Sequence, residues 1–161
     1  MQISKKRIGE ILIERKLITE AQLKDALQEQ KTSGGFLGHI MVSRGWITKT
    51  ELSEALAEQF GIPLVEIKSQ HIDMELVRRF SSCLILDYQC LPLCEDEDTI
   101  TVAIVNPLDA AAISRIEEAV KPRKVNLVMA HEEDIRKAIQ QYRQNISDSI
   151  RRLLKKKKNV E

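Results

Sequence analysis

The sequence predicts an α+β fold: a helical tandem-repeat subdomain at the N-terminus, then a small α/β subdomain with a three-stranded sheet and a long C-terminal helix. Three observations carry this. The first sixty residues repeat themselves at an offset of 29 with helical spacing, apolar residues switch to short strand-like runs after Phe60, and an apolar stripe at alternating steps of three and four runs toward the end. The expected boundaries are 1–60, 61–145 and a basic segment 146–161 that ends the last helix or begins a linker.

The repeat aligns residues 7 to 30 with 36 to 59, and ten of the 24 pairs are identical, Gly9/Gly38, Arg15/Arg44, Thr19/Thr48, Ala26/Ala55 and Glu29/Glu58 among them. Each copy reads as two helices. Ile8, Ile11 and Leu12 have helical spacing in the first, and Thr19 caps a second that carries Leu23, Ala26 and Leu27. Thr19 is followed three residues on by Gln22, and Thr48 by Glu51. Both copies therefore carry a capping box, in which hydroxyl and carboxyl or amide satisfy free backbone N–H groups reciprocally. The five residues between copies, 31–35, end in Gly34-Gly35, a pair that permits positive φ and a fold-back of the second unit.

In the second half, residues 61–67 (GIPLVEI) read as a strand-like run and 74–80 as a short helix. Residues 89–94 and 99–105 read as two strands turning at 95–98, whose four acidic residues fit a solvated tip and lack calcium-loop spacing. Asn106-Pro107-Leu108-Asp109 closes the second strand and starts a helix over about 110–120, with Asp109 as its cap. A third strand is expected at 125–130. The final helix places Ile135, Ile139, Tyr142, Ile146, Ile150 and Leu153 on one stripe.

Composition narrows the function. With 25 basic and 24 acidic residues and 4% aromatics there is no global field for nucleic acid, and none is expected as a partner. The last nineteen residues are the exception, with seven basic against two acidic. Their RRLLKKKK run reads as a solvated linker start, or as a peripheral tether to an anionic membrane surface or a nucleic acid. The start lacks a signal-peptide core, no apolar run approaches a membrane span, and the expected location is cytoplasmic. Cys83, Cys90 and Cys94 suit reduced buried thiols; a zinc site would need a fourth ligand such as His71, at a spacing that matches no finger. No phosphate-cradling G-x-x-x-x-G-K-S/T loop occurs, and His39, His71 and His131 fall in separate elements, so no catalysis is expected and no metal is required.

The repeat with its 29-residue offset, the AEQFGIPLVEI exit, the LPL…TITVAIVNPLD strand pair and the AHEEDIRKAIQQY ending together resemble the N-terminal region of the type II secretion and type IV pilus assembly ATPases, over about residues 5 to 143. The resemblance implies a non-catalytic domain that docks the motor to the cytoplasmic part of an inner-membrane platform protein, with contact to the membrane no more than peripheral. A motor ATPase domain is the further partner if the chain is a fragment. Some members bind cyclic di-GMP through two copies of a motif similar to R-L-G-x-x-L…G…L-x-x-A-L-x-x-Q, which implies a second reading as a sensor of that nucleotide. Carried over, Arg7, Ile8, Gly9, Leu23, Leu27 and Gln30 match the first copy, and Leu37, Gly38, Leu52, Leu56 and Gln59 the second. Phe36 stands at the second copy's Arg position and Lys16 at the first copy's middle glycine. An Arg pairs with phosphate or stacks on a base, glycine lets backbone approach, and Gln reads a base edge. Phe36 keeps a stacking face and loses the charge.

Overall fold

The computed structural model describes residues 6–144. Each repeat copy folds as a short helix followed by a longer one: α1 (Ile8–Glu14) and α2 (Glu20–Ser33), then α3 (Leu37–Ser43) and α4 (Lys49–Phe60). Both capping boxes form. The Thr19 N–H reaches Gln22 Oε1 at 2.8 Å while Gln22 N–H returns to Thr19 Oγ1 at 3.2 Å; the Thr48/Glu51 pair repeats this at 2.7 and 3.1 Å. Gly34, at φ 72°, ends α2 and lets α3 turn back.

Equivalent positions bury together: Ile11 with Ile40, Leu12 with Met41, Ile18 with Ile47, Ala26 with Ala55, all under 9% exposed. This is the core face that the 3.6-residue period demands. One hydrophobic core continues from these helices into the second half.

There, α5 (Met74–Arg79) is capped by Asp73 and α6 (Ser82–Asp87) by Ser81. A hairpin of β1 (Leu91–Glu95) and β2 (Thr99–Ile104) follows, then α7 (Ala110–Val120), capped by Asp109 through Ala112 N–H at 2.9 Å, and β3 (Lys124–Met129). A last helix, α8, covers 132–144, with Ile135 and Ile139 buried. The sheet order is β1-β2-β3, antiparallel then parallel, with Leu91 opposite Ala103 and Ile104 opposite Met129. Helix α7 covers the sheet beside β3 and α5 beside β1.

Three expectations need correction or bounding. Residues 61–67 form no strand: one parallel bridge joins Leu64 to Met129, and a 3-10 turn at Ile67–Ser69 then leads the chain away. Pro63 lacks the N–H that a longer ladder would use. Only Cys90 is a buried thiol; Cys83 sits exposed on α6, and Cys94 is exposed on β1 beyond a register shift after Pro92. Helix α6 went unforeseen. Ile146, Ile150, Leu153 and the basic segment 146–161 lie outside the described residues.

Candidate ligand-binding site

The two copies are built into each other. Helix α1 packs on α4 and α2 on α3, so exchanging the copies maps one contact onto the other, as a twofold axis would. The ion pairs obey the same exchange. Arg15 Nε donates to Glu58 Oε2 at 2.9 Å, and Arg44 Nε donates to Glu29 Oε2 at 3.0 Å. Arg15 is the repeat partner of Arg44, and Glu29 of Glu58. These identities in the repeat are thus reciprocal bonds between copies.

Beside this axis lies a cavity of about 460 Å³, within the roughly 300–1,000 Å³ range of small-molecule sites. Fourteen of its sixteen lining residues are seven pairs at the repeat offset: Arg7/Phe36, Ile8/Leu37, Gly9/Gly38, Glu10/His39, Leu23/Leu52, Leu27/Leu56 and Gln30/Gln59. Asn106 and Leu108, from the loop before α7, complete the wall. The glycines set the width of this floor. A Cβ on Gly9 would lie 2.6 Å from Leu23 Cδ1, and one on Gly38 would lie 2.5 Å from Leu52 Cδ1, so a side chain at either position would have to push that leucine aside.

All twelve residues singled out from the sequence (Arg7, Ile8, Gly9, Leu23, Leu27, Gln30, Phe36, Leu37, Gly38, Leu52, Leu56, Gln59) come together on this one wall. Their environments differ. Leu52 and Leu56 are 8% exposed because α4 lies between α1 and the second half, where Lys49 Nζ meets Glu132 Oε2 at 2.8 Å; Leu27, on the open α2, is 42% exposed. Among the described residues the exposed large hydrophobics are Leu27, Phe36 and Leu108, and every one of them faces the cavity. Gln30 Nε2 donates to Gly35 O at 2.9 Å and so also braces the turn between copies.

The sequence reading missed Glu10, His39, Asn106 and Leu108. Glu10 and His39 follow the two glycines at equivalent positions, so the repeat itself could have flagged them. Nothing in the sequence ties Asn106 or Leu108 to residues a hundred positions upstream. Glu10 accepts the Arg7 backbone N–H at 2.8 Å, which caps α1. A second cavity of about 530 Å³ adjoins the first and shares His39, Leu52, Leu56 and Asn106 with it. Among the described residues no His, Cys, Asp and Glu group could hold a metal, and no helix is long and apolar enough to cross a membrane.

The chemistry of the first cavity is apolar faces with a few polar groups at the rim, suited to a flat, partly aromatic molecule that has its own approximate twofold symmetry. The model of the MshEN domain matches residues 60–156, beginning where the second copy ends. The type IV pilus assembly ATPase PilB of Thermus thermophilus is 28% identical over 120 residues, which are 73% of this chain and 14% of that protein. PilB of Myxococcus xanthus is 26% identical over 136 residues, 84% of this chain and 24% of that protein. The chain thus spans a quarter or less of these relatives. The structure of MshE with cdg superposes with a TM-score of 0.77 at 28% identity, covering 86% of this chain and 99% of that one. The N-terminal domain of XpsE matches in fold, with a TM-score of 0.66 at 23% identity over 87% of this chain and 96% of that one.

Proposed function

This chain belongs to the MshEN domain family, and from that premise we propose that it is a regulatory domain of a type II secretion or type IV pilus ATPase that binds cyclic di-GMP between its two repeat copies. The observation that carries the reading is the lining of the cavity: seven pairs of repeat-equivalent residues enclose a space of about 460 Å³. A cyclic dinucleotide has two bases and two phosphodiesters related by approximate twofold symmetry, so each half meets the same floor of glycine, leucine and glutamine. That the structurally similar MshE is known with cdg supports the same ligand here.

In this reading Gly9 and Gly38, with no side chain to fill the floor, let Leu23 and Leu52 lie against them and leave room for the ligand above. Leu23, Leu27, Leu52 and Leu56 pack on the bases, Gln30 and Gln59 read base edges, Arg7 pairs with a phosphate or stacks, and Phe36 stacks on the other side. Because Asn106 and Leu108 belong to the second half, the same ligand touches both halves of the chain and biases how they sit together. Docking to the cytoplasmic part of an inner-membrane platform protein, with peripheral placement at that membrane, completes the proposal. It rests on the likeness to pilus ATPases, and a pull-down against such cytoplasmic segments tests it.

Calorimetric titration of cyclic di-GMP into the chain should show binding at micromolar protein. Arg7→Ala should weaken it about tenfold or more, the loss of a charge-assisted hydrogen bond of roughly 1.5–3 kcal/mol. Absence of heat, or an unchanged affinity in the variant, would overturn the reading.

A further inference from the structure

The cavity is symmetric in its floor and asymmetric at its rim. The first half presents Arg7 with Glu10, and the second presents Phe36 with His39 at the equivalent positions. The His39 ring stands edge-on to Phe36, centroids 5.9 Å apart at 80°, so the two rings form one aromatic corner. Of the sixteen lining residues only Arg7, Glu10 and His39 carry or can carry a charge. With His39 neutral, the lining sums to zero against a ligand bearing two phosphodiester charges. Resting on the cyclic dinucleotide reading above, we infer that His39 contacts the ligand in the second half and, as the imidazolium, supplies the cation that Phe36 cannot.

From α1, Arg7 and Glu10 face the same cavity. On the other side, His39 also lines the adjoining cavity, where α4 and α8 contribute Lys49 and Glu132, already paired with each other at 2.8 Å. Helix α6 adds Asp87 and Tyr88, and the start of α7 adds Asp109, whose carboxylate accepts the Ala112 N–H. Of the groups lining the adjoining cavity the one cation, Lys49, is already paired with Glu132, so His39 is left to meet a phosphate in the first cavity. A ligand that prefers the imidazolium binds more tightly as pH falls.

The test is calorimetry of cyclic di-GMP with the full chain at pH 6, 7 and 8. Affinity should rise about three- to tenfold from pH 8 to pH 6, an effect sized for a charge-assisted contact at a solvent-facing rim. His39→Gln keeps a hydrogen-bond donor without a charge and should bind with the pH 8 affinity throughout. His39→Lys, charged at every pH, should bind with no pH slope at the strength the native chain shows at pH 6. A native slope that persists in His39→Gln, or binding with no slope in the native chain, overturns the inference and leaves the ligand reading standing. No binding at any pH overturns both. Coincident melting curves of the variants exclude misfolding as the cause.

Discussion

Lys16 occupies the left-handed region at φ 57°, and its repeat partner Gly45 does the same at φ 69°. Both follow the short first helix of their copy, where the chain must reverse direction. The lysine at the glycine position is therefore a departure in residue and not in backbone: the turn is retained, and a side chain bears the steric cost. Lys16→Gly should raise stability by about 0.5–1 kcal/mol, measured by denaturant unfolding, while Gly45→Lys should lower it. The thiols divide in the same residue-by-residue way. Burial pushes the Cys90 thiol up to about 12, and its Sγ donates to Leu84 O at 3.2 Å, whereas Cys83 and Cys94 are exposed. A native alkylation time course at pH 8 should modify two thiols rapidly and the third only on unfolding. The apolar neighbourhood of these cysteines was plain in the sequence; which of them faced inward was not, because the shift in register after Pro92 turns Cys94 outward.

Among the elements, the helices that open on a capping Thr or Asp were legible at their starts. Thr19, Thr48 and Asp109 each accept the N–H that the sequence assigned to them. Helix α6 escaped because six residues give too little periodicity to read, and Ser81, its cap, is a weak signal alone. The hairpin was legible as two strands with an acidic turn, but not what holds it. Asp96 makes the tip, its carboxylate accepting Asp98 N–H at 3.0 Å and Thr99 N–H at 2.8 Å. Glu95 is clamped by Arg79 from α5 and by Arg123 from the turn before β3, so it ties three elements. The Arg79 hydrogen bond, then that of Arg123, holds its carboxyl below the usual range. A folded-state value below the unfolded one means the stabilisation is present above about pH 4.3 and lost as pH falls through the folded value. Glu95→Gln should thus be less stable at neutral pH and lose less on acidification from pH 5 to 3, followed by thermal melts across that range.

Over the whole molecule, the repeat made the N-terminal half readable, and the match of period to burial made its core readable. What no periodicity could give was which helix meets which, since residue spacing describes one helix face and says nothing of its neighbour. The twelve residues carried over from the resemblance line the cavity because that motif lies in the repeat, whereas Asn106 and Leu108 arrive from a separate loop that no repeat points to. The crossing of α1 onto α4 and α2 onto α3 has an outcome for any attempt to dissect the protein. A single helix pair is left with its apolar faces bare, so cutting the chain between Gly34 and Gly35 should yield two fragments that are insoluble or unfolded apart yet reassemble when co-expressed. Two intact molecules could exchange their leading arms by the same route, and raising the concentration of a chain with a shortened 31–35 segment should populate that interlocked dimer.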